Sequence, residues 1–109
     1  MIARIWRTQI DESRADEYRS FAQAKSLPMF REQMGFAGVL FAANLDERAV
    51  ITFWRDAASA RTLDESESYK STVTEIEAAG FRHGETTVEM FELEGFLLEY
   101  TPRNQEGSS

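Results

Sequence analysis

Apolar residues recur along the chain with two different periods, and the switches between them mark the elements. Over residues 2–10, "IARIWRTQI", Ile2, Trp6 and Ile10 share one side of an alternating pattern with Arg4 and Thr8. Ala3 and Ile5 take the other side. This is strand periodicity with large apolar groups on both faces, as in a sheet covered on both sides. From Asp11 to Lys25 the spacing becomes helical: Ala15, Tyr18, Phe21, Ala22 and Lys25 line one face, and Asp11 or Ser13 can cap the start. Pro28 interrupts this pattern, and "LPMFREQM" forms a short second helix that Gly35 stops.

Strand periodicity returns at "GFAGVLFAAN", residues 35–44, and again at "AVITFW", residues 49–54. The polar turn "NLDER" between them predicts a hairpin, with Asn44 tolerating the left-handed conformation there. Asp56 caps the next helix, whose buried side is Ala57, Ala60 and Leu63. A further helix over 67–79 carries Tyr69, Val73 and Ile76 in register and ends at Gly80. Residues 85–100 read as a last strand region with a bulge or bend at Gly95. The polar stretch "TPRNQEGSS", residues 101–109, is expected to be a frayed tail behind a single domain over 1–100.

The order β-α-β-β-α-β is the ferredoxin-like α+β pattern, a four-stranded antiparallel sheet with its helices on one face. The opposite face would be bare in a monomer, yet residues 36–43 and 50–54 are apolar on both sides. A homodimer with the two sheets packed face to face is therefore expected, the segment past Gly95 reaching over the partner.

Composition narrows the function. The chain of 109 residues has a net charge of −7, which argues against a phosphate-backbone binder, so no nucleic-acid partner is expected. It has no cysteine and one histidine, which leaves little to ligate a transition metal. No apolar run approaches the ~18 residues of a membrane span, and the start "MIARIWRTQI" lacks a signal peptide's continuous apolar stretch. No membrane partner and a cytoplasmic location are the expectations. Eight Phe, three Tyr and two Trp suit a sizeable core, or a core plus an interface.

The succession "RIWR", "EYRSFAQ", "MGFAGVLFAAN", "VITFWRDAASAR", "ESESYK" and "VEMFEL" resembles the antibiotic biosynthesis monooxygenase superfamily of dimeric α+β barrels over residues 2–96. The resemblance implies a ferredoxin-like protomer, a homodimer, and a pocket between sheet and helices for a small aromatic ligand. Members include cofactor-independent oxygenases of quinols and polyketide phenols, heme-degrading oxygenases, and proteins without known activity. The heme-degrading branch shares the strand-three tryptophan, here Trp54. It also needs a strand-one asparagine, which this chain lacks, and a tryptophan and a histidine where Leu63 and Val73 stand. Without that imidazole, iron has no evident axial ligand. No cofactor and no metal are therefore expected.

A cofactor-independent oxygenase deprotonates its substrate to an electron-rich anion that reduces dioxygen. It needs an apolar aromatic pocket, a base or hydrogen-bond partner for the phenol oxygen, and exclusion of water. We assign His83 and Tyr69 as candidate catalytic groups, and Trp54, Trp6, Arg4 and Asn44 as candidate substrate-binding groups. Each has a structural counterpart reading. Trp54 is strand-end core, or core on one side and pocket wall on the other. Tyr69 is a helix-face aromatic, His83 in "FRHGE" a solvated loop histidine, and Asn44 a turn residue. Arg4, like Arg7, lies in a covered strand, so if it points inward it must meet a structural carboxylate or an anionic substrate. A non-redox isomerase or cyclase on the same scaffold, and a non-catalytic dimeric binding module, remain as alternatives.

Overall fold

The structure is a computed structural model that describes residues 1–97 and Glu99. Leu98, Tyr100 and the expected tail 101–109 lie outside the described residues. Strand β1 (Ile2–Ile10) leads through a short 3₁₀ turn into a helical rod of α1 (Ala15–Phe21), a π-helical stretch (Ala22–Ser26) and α2 (Leu27–Arg31). The hairpin β2 (Phe36–Asn44) and β3 (Glu47–Trp54) follows, then α3 (Ala57–Leu63), α4 (Glu67–Ala79) and β4 (Arg82–Glu92). The four strands form one antiparallel sheet in the order β2-β3-β1-β4.

Register assigns the faces. Arg4 sits opposite Thr52 on β3 and Met90 on β4, and Trp6 opposite Val50 and Val88. With Trp54 opposite both Ile2 and Phe36, these positions share the side that faces the helices. Met29 and Phe30 of α2 and Ala60 and Leu63 of α3 close over Val50 and Trp54 to make the main core. A smaller cluster at the other end joins Ile10, Tyr18 and Phe81. The other side of the sheet carries Ile5, Leu40, Ile51, Phe53 and Phe91. Leu40 and Phe91 are exposed, and Ile5, Ile51 and Phe53 are half-buried.

Three local expectations are revised. Pro28 does not break the first helix. The backbone widens to a π-turn ahead of it, with Leu27 N–H reaching back to Ala22 C=O, and continues as α2. A proline has no N–H to donate and crowds the carbonyl of residue i−4, and a wider turn absorbs both. In the hairpin, Asn44 ends β2 in extended conformation, and Leu45 takes the positive φ of 55°. Finally, β4 begins at Arg82, three residues before the expected start, and the strand ends at Glu92. Gly80 turns at φ 73° and seats Phe81 in the core, so pairing with β1 starts at once.

Gly35 is fixed by crowding as well as by its φ of 81°: a Cβ there would lie 2.1 Å from Ser59 Oγ. That approach sets β2 and α3 against each other beside Trp54.

Candidate functional site

Between the helix-facing side of the sheet and helices α2 and α4 lies a small cavity. Its aromatic walls are Trp6, Tyr18, Phe30 and Tyr69; Val50, Val73 and Ile76 complete the apolar lining. Ser26 of the π-helical stretch and Met29 border it on the side of the helical rod. Its volume is about 30 Å³, room for a water but not for a ring.

Arg4 is the charged group of this cavity and is only 3% exposed. Its Nη2 donates to Asp64 Oδ1 and to the Tyr69 hydroxyl, each at 3.1 Å, and the guanidinium lies 5.3 Å from the centre of the Tyr69 ring. A buried arginine is tolerated when paired, and both the carboxylate and the ring face contribute. The pairing is incomplete: Arg4 Nε is buried and has no hydrogen-bond partner. Such a donor costs free energy unless something accepts from it. Because Tyr69 Oη accepts from Arg4, the phenolic proton is left to point elsewhere.

Trp54 is adjacent to this site without lining it. The ring is wholly buried, packed edge-on against Phe36 with centroids 5.8 Å apart. Its indole N–H donates to Thr52 Oγ1 at 2.8 Å, and that hydroxyl donates in turn to the Arg4 carbonyl at 3.4 Å. The indole N–H is thus already used within the protein, one residue from the Arg4 backbone. Tyr18 lies in the wall, 6% exposed, and desolvation by burial pushes its phenol up to about 12, with the nearby Arg48 charge partly opposing.

The structure therefore brings Arg4, Trp6 and Tyr69 together and sets Trp54 behind them. Asn44 is exposed at the end of β2, and His83 is exposed at the start of β4 opposite Gln9. Neither lines the cavity. Sequence reasoning missed Asp64 and Tyr18. Asp64 reads as solvated charge in "DESES", although it closes α3 directly after the buried Leu63. Tyr18 reads as plain helix-face packing, although it is the polar-tipped aromatic of that face. Among the described residues no group of three or more His, Asp or Glu is placed to hold a metal ion, and no helix is long and apolar enough to cross a membrane.

No family model matches the chain, and no curated protein matches it. Solved structures do. A cofactor-independent oxygenase, SnoaB from Streptomyces nogalater, is similar at 17% identity and a TM-score of 0.68, over 90% of this chain and 97% of that one. A monooxygenase from the ActVA-Orf6 gene of Streptomyces coelicolor, solved with nanaomycin D, gives 14% and 0.71 over 91% and 92%. NE2512, a protein of unknown function from Nitrosomonas europaea, gives 16% and 0.70 over 92% and 95%. The chain has the ferredoxin-like α+β fold of the antibiotic biosynthesis monooxygenases.

Proposed function

We propose that the protein is a homodimeric, cofactor-independent monooxygenase of the antibiotic biosynthesis monooxygenase superfamily, oxidising a small quinol or polyketide-like phenol with dioxygen. The observation that carries this reading is the buried, unpartnered Arg4 Nε in an aromatic-walled cavity. A donor that belongs to a fixed cation stabilises the phenolate that must form before oxygen can be reduced. Asp64 holds the guanidinium in place, Tyr69 offers its proton to a second ring oxygen, and Trp6 and Phe30 flank the ring. A hydroquinone and one O₂ balance to a hydroxyquinone and one water, so the reaction needs no external reductant. Admission of a ring requires the wall to yield, and Met29, unbranched and beside the π-turn, is the side chain best able to move. The homodimer is supported by the apolar open face of the sheet.

The test is oxygen uptake with a panel of hydroquinones, without added metal or flavin. Turnover that falls about a hundredfold in Arg4→Gln is the expected result. Absence of uptake across the panel would refute the reading. The closed state of the cavity favours a second reading, a dimeric binding module without catalysis. It predicts saturable binding of the same phenols with no oxygen consumed. A non-redox isomerase or cyclase would instead convert ring-closing substrates under nitrogen as fast as in air.

A further inference from the structure

A second and larger cavity, of about 220 Å³, lies between α1 and the β2–β3 hairpin. It shares one residue with the Arg4 cavity, Tyr18. Much of its surface is alanine, from the helix and from both strands; Tyr18 and Phe41 are its aromatic walls, and Arg19 and Arg48 also line it. An apolar cavity of about 150 Å³ already admits benzene, so this one has room for a ring with a small substituent.

Its polar side chains are those of Tyr18, Arg19, Gln23 and Arg48. Arg19 is paired with Asp16 at 2.8 Å. Arg48 turns Nη1 to the carbonyls of Leu45 and Glu47, at 2.7 and 2.9 Å, and makes no ion pair among the described residues. Tyr18 is more than nine-tenths buried, yet its hydroxyl makes no hydrogen bond among the described residues. The Arg48 charge acts on that same phenol. The Tyr18 hydroxyl, solvent-reached and with no partner among those residues, is a donor open to an acceptor in the cavity, and a guanidinium without a carboxylate is the natural second donor.

We infer that this cavity is a second binding site, for a small single-ring aromatic carboxylate: the ring packs on Tyr18 and Phe41, and the carboxylate accepts from the Tyr18 hydroxyl and from Arg48. The site is independent of the reaction proposed above, since none of its groups other than Tyr18 reaches the Arg4 cavity.

The test is titration of the full chain with benzoate, followed by amide and methyl NMR shifts. Saturable shifts at Ala15, Ala22 and Ala43 are expected. Affinity should drop at least tenfold for benzyl alcohol, which keeps the ring and loses the charge, and at least tenfold in Arg48→Gln. Ala43→Leu, which fills the space, should abolish binding, and Arg4→Gln should leave it unchanged. Unchanged melting curves establish that the variants are folded. The inference is overturned by no saturable shift up to about 10 mM, a concentration that would detect even millimolar affinity. It is equally overturned by equal affinity for benzyl alcohol, by unchanged binding in Arg48→Gln or Ala43→Leu, or by shifts confined to Arg4, Trp6 and Val73.

Discussion

Arg4 makes a fold-stabilising and a ligand-binding role separable by experiment. Its ion-pair partner Asp64 is 53% exposed, so losing the arginine strands no buried carboxylate. The guanidinium itself carries a desolvation cost, and replacing a buried ion by an apolar group of similar length is often neutral or better. Arg4→Met should therefore leave Tm unchanged or raised while it removes the phenol response. Loss of both together would mean that Arg4 is structural. Trp54 should behave in the opposite way. With the ring wholly buried, Trp54→Ala should cost about 3–5 kcal/mol in denaturant unfolding. Trp54→Phe, which keeps most of the ring, loses the bond to Thr52 and should cost about 1 kcal/mol.

Tyr18 gives a pH signature. Its phenol stands near 10 in the unfolded chain and about 12 in the folded one, because burial disfavours the phenolate. The folded state thus holds the proton more tightly. The contribution is fully present below pH 10 and is lost as pH rises through about 12, at up to ~1.4 kcal/mol per pH unit. Alkaline melts should show this fall between pH 10 and 12, and Tyr18→Phe should flatten it.

At the scale of elements, the β2–β3 hairpin carries a local conflict. Its turn has a positive φ at Leu45, an exposed leucine at a position where primed hairpin turns favour glycine. A branched L-residue in that conformation costs about 1–2 kcal/mol, and glycine returns part of this through its greater unfolded-state entropy. Leu45→Gly should raise stability by about 0.5–1 kcal/mol in urea titration, with an unchanged m-value. The helical rod resolves its own conflict differently: Pro28 is absorbed in a π-turn, and that turn borders the Arg4 cavity through Ser26. The irregular backbone therefore lies in the cavity wall itself.

For the whole molecule, the sheet face away from the helices sets the expected assembly. The segment expected to reach over a partner instead lays Phe96 edge-on against Phe53 of its own sheet, centroids 6.4 Å apart, and leaves the rest of the face open. Leu40 and Phe91 are exposed beside Ile5, Ile51 and Phe53, while the helix-facing side carries the two core clusters and leaves Phe41, Val88 and Met90 exposed at its margins. Sedimentation at micromolar concentration should show twice the 12.5 kDa of one chain. Phe91→Lys, at a position already exposed in the protomer, should shift the protein to monomer without unfolding it. A wild-type protein that sediments only as a monomer would remove the dimer from the proposed function.

The sequence by itself determined the architecture. Strand and helix periods, the cap at Asp56 and the stop at Gly80 are short-range properties, and each is satisfied within a few residues along the chain. The grouping of β1's side chains was legible for the same reason, since alternation alone sets Arg4 with Ile2, Trp6 and Ile10, but not which face turns to the helices. Tertiary structure decided that face and what its residues meet. Arg4 and Tyr69 are 65 positions apart, and their contact depends on how α4 crosses the sheet. Only that packing sets Trp54 behind the cavity with its N–H already bonded, leaves Asn44 and His83 outside it, and draws Tyr18 into the walls of two cavities. Periodicity reports which side chains share a face. Whether a space remains above that face depends on side chains from distant segments, and no local pattern encodes their volumes together.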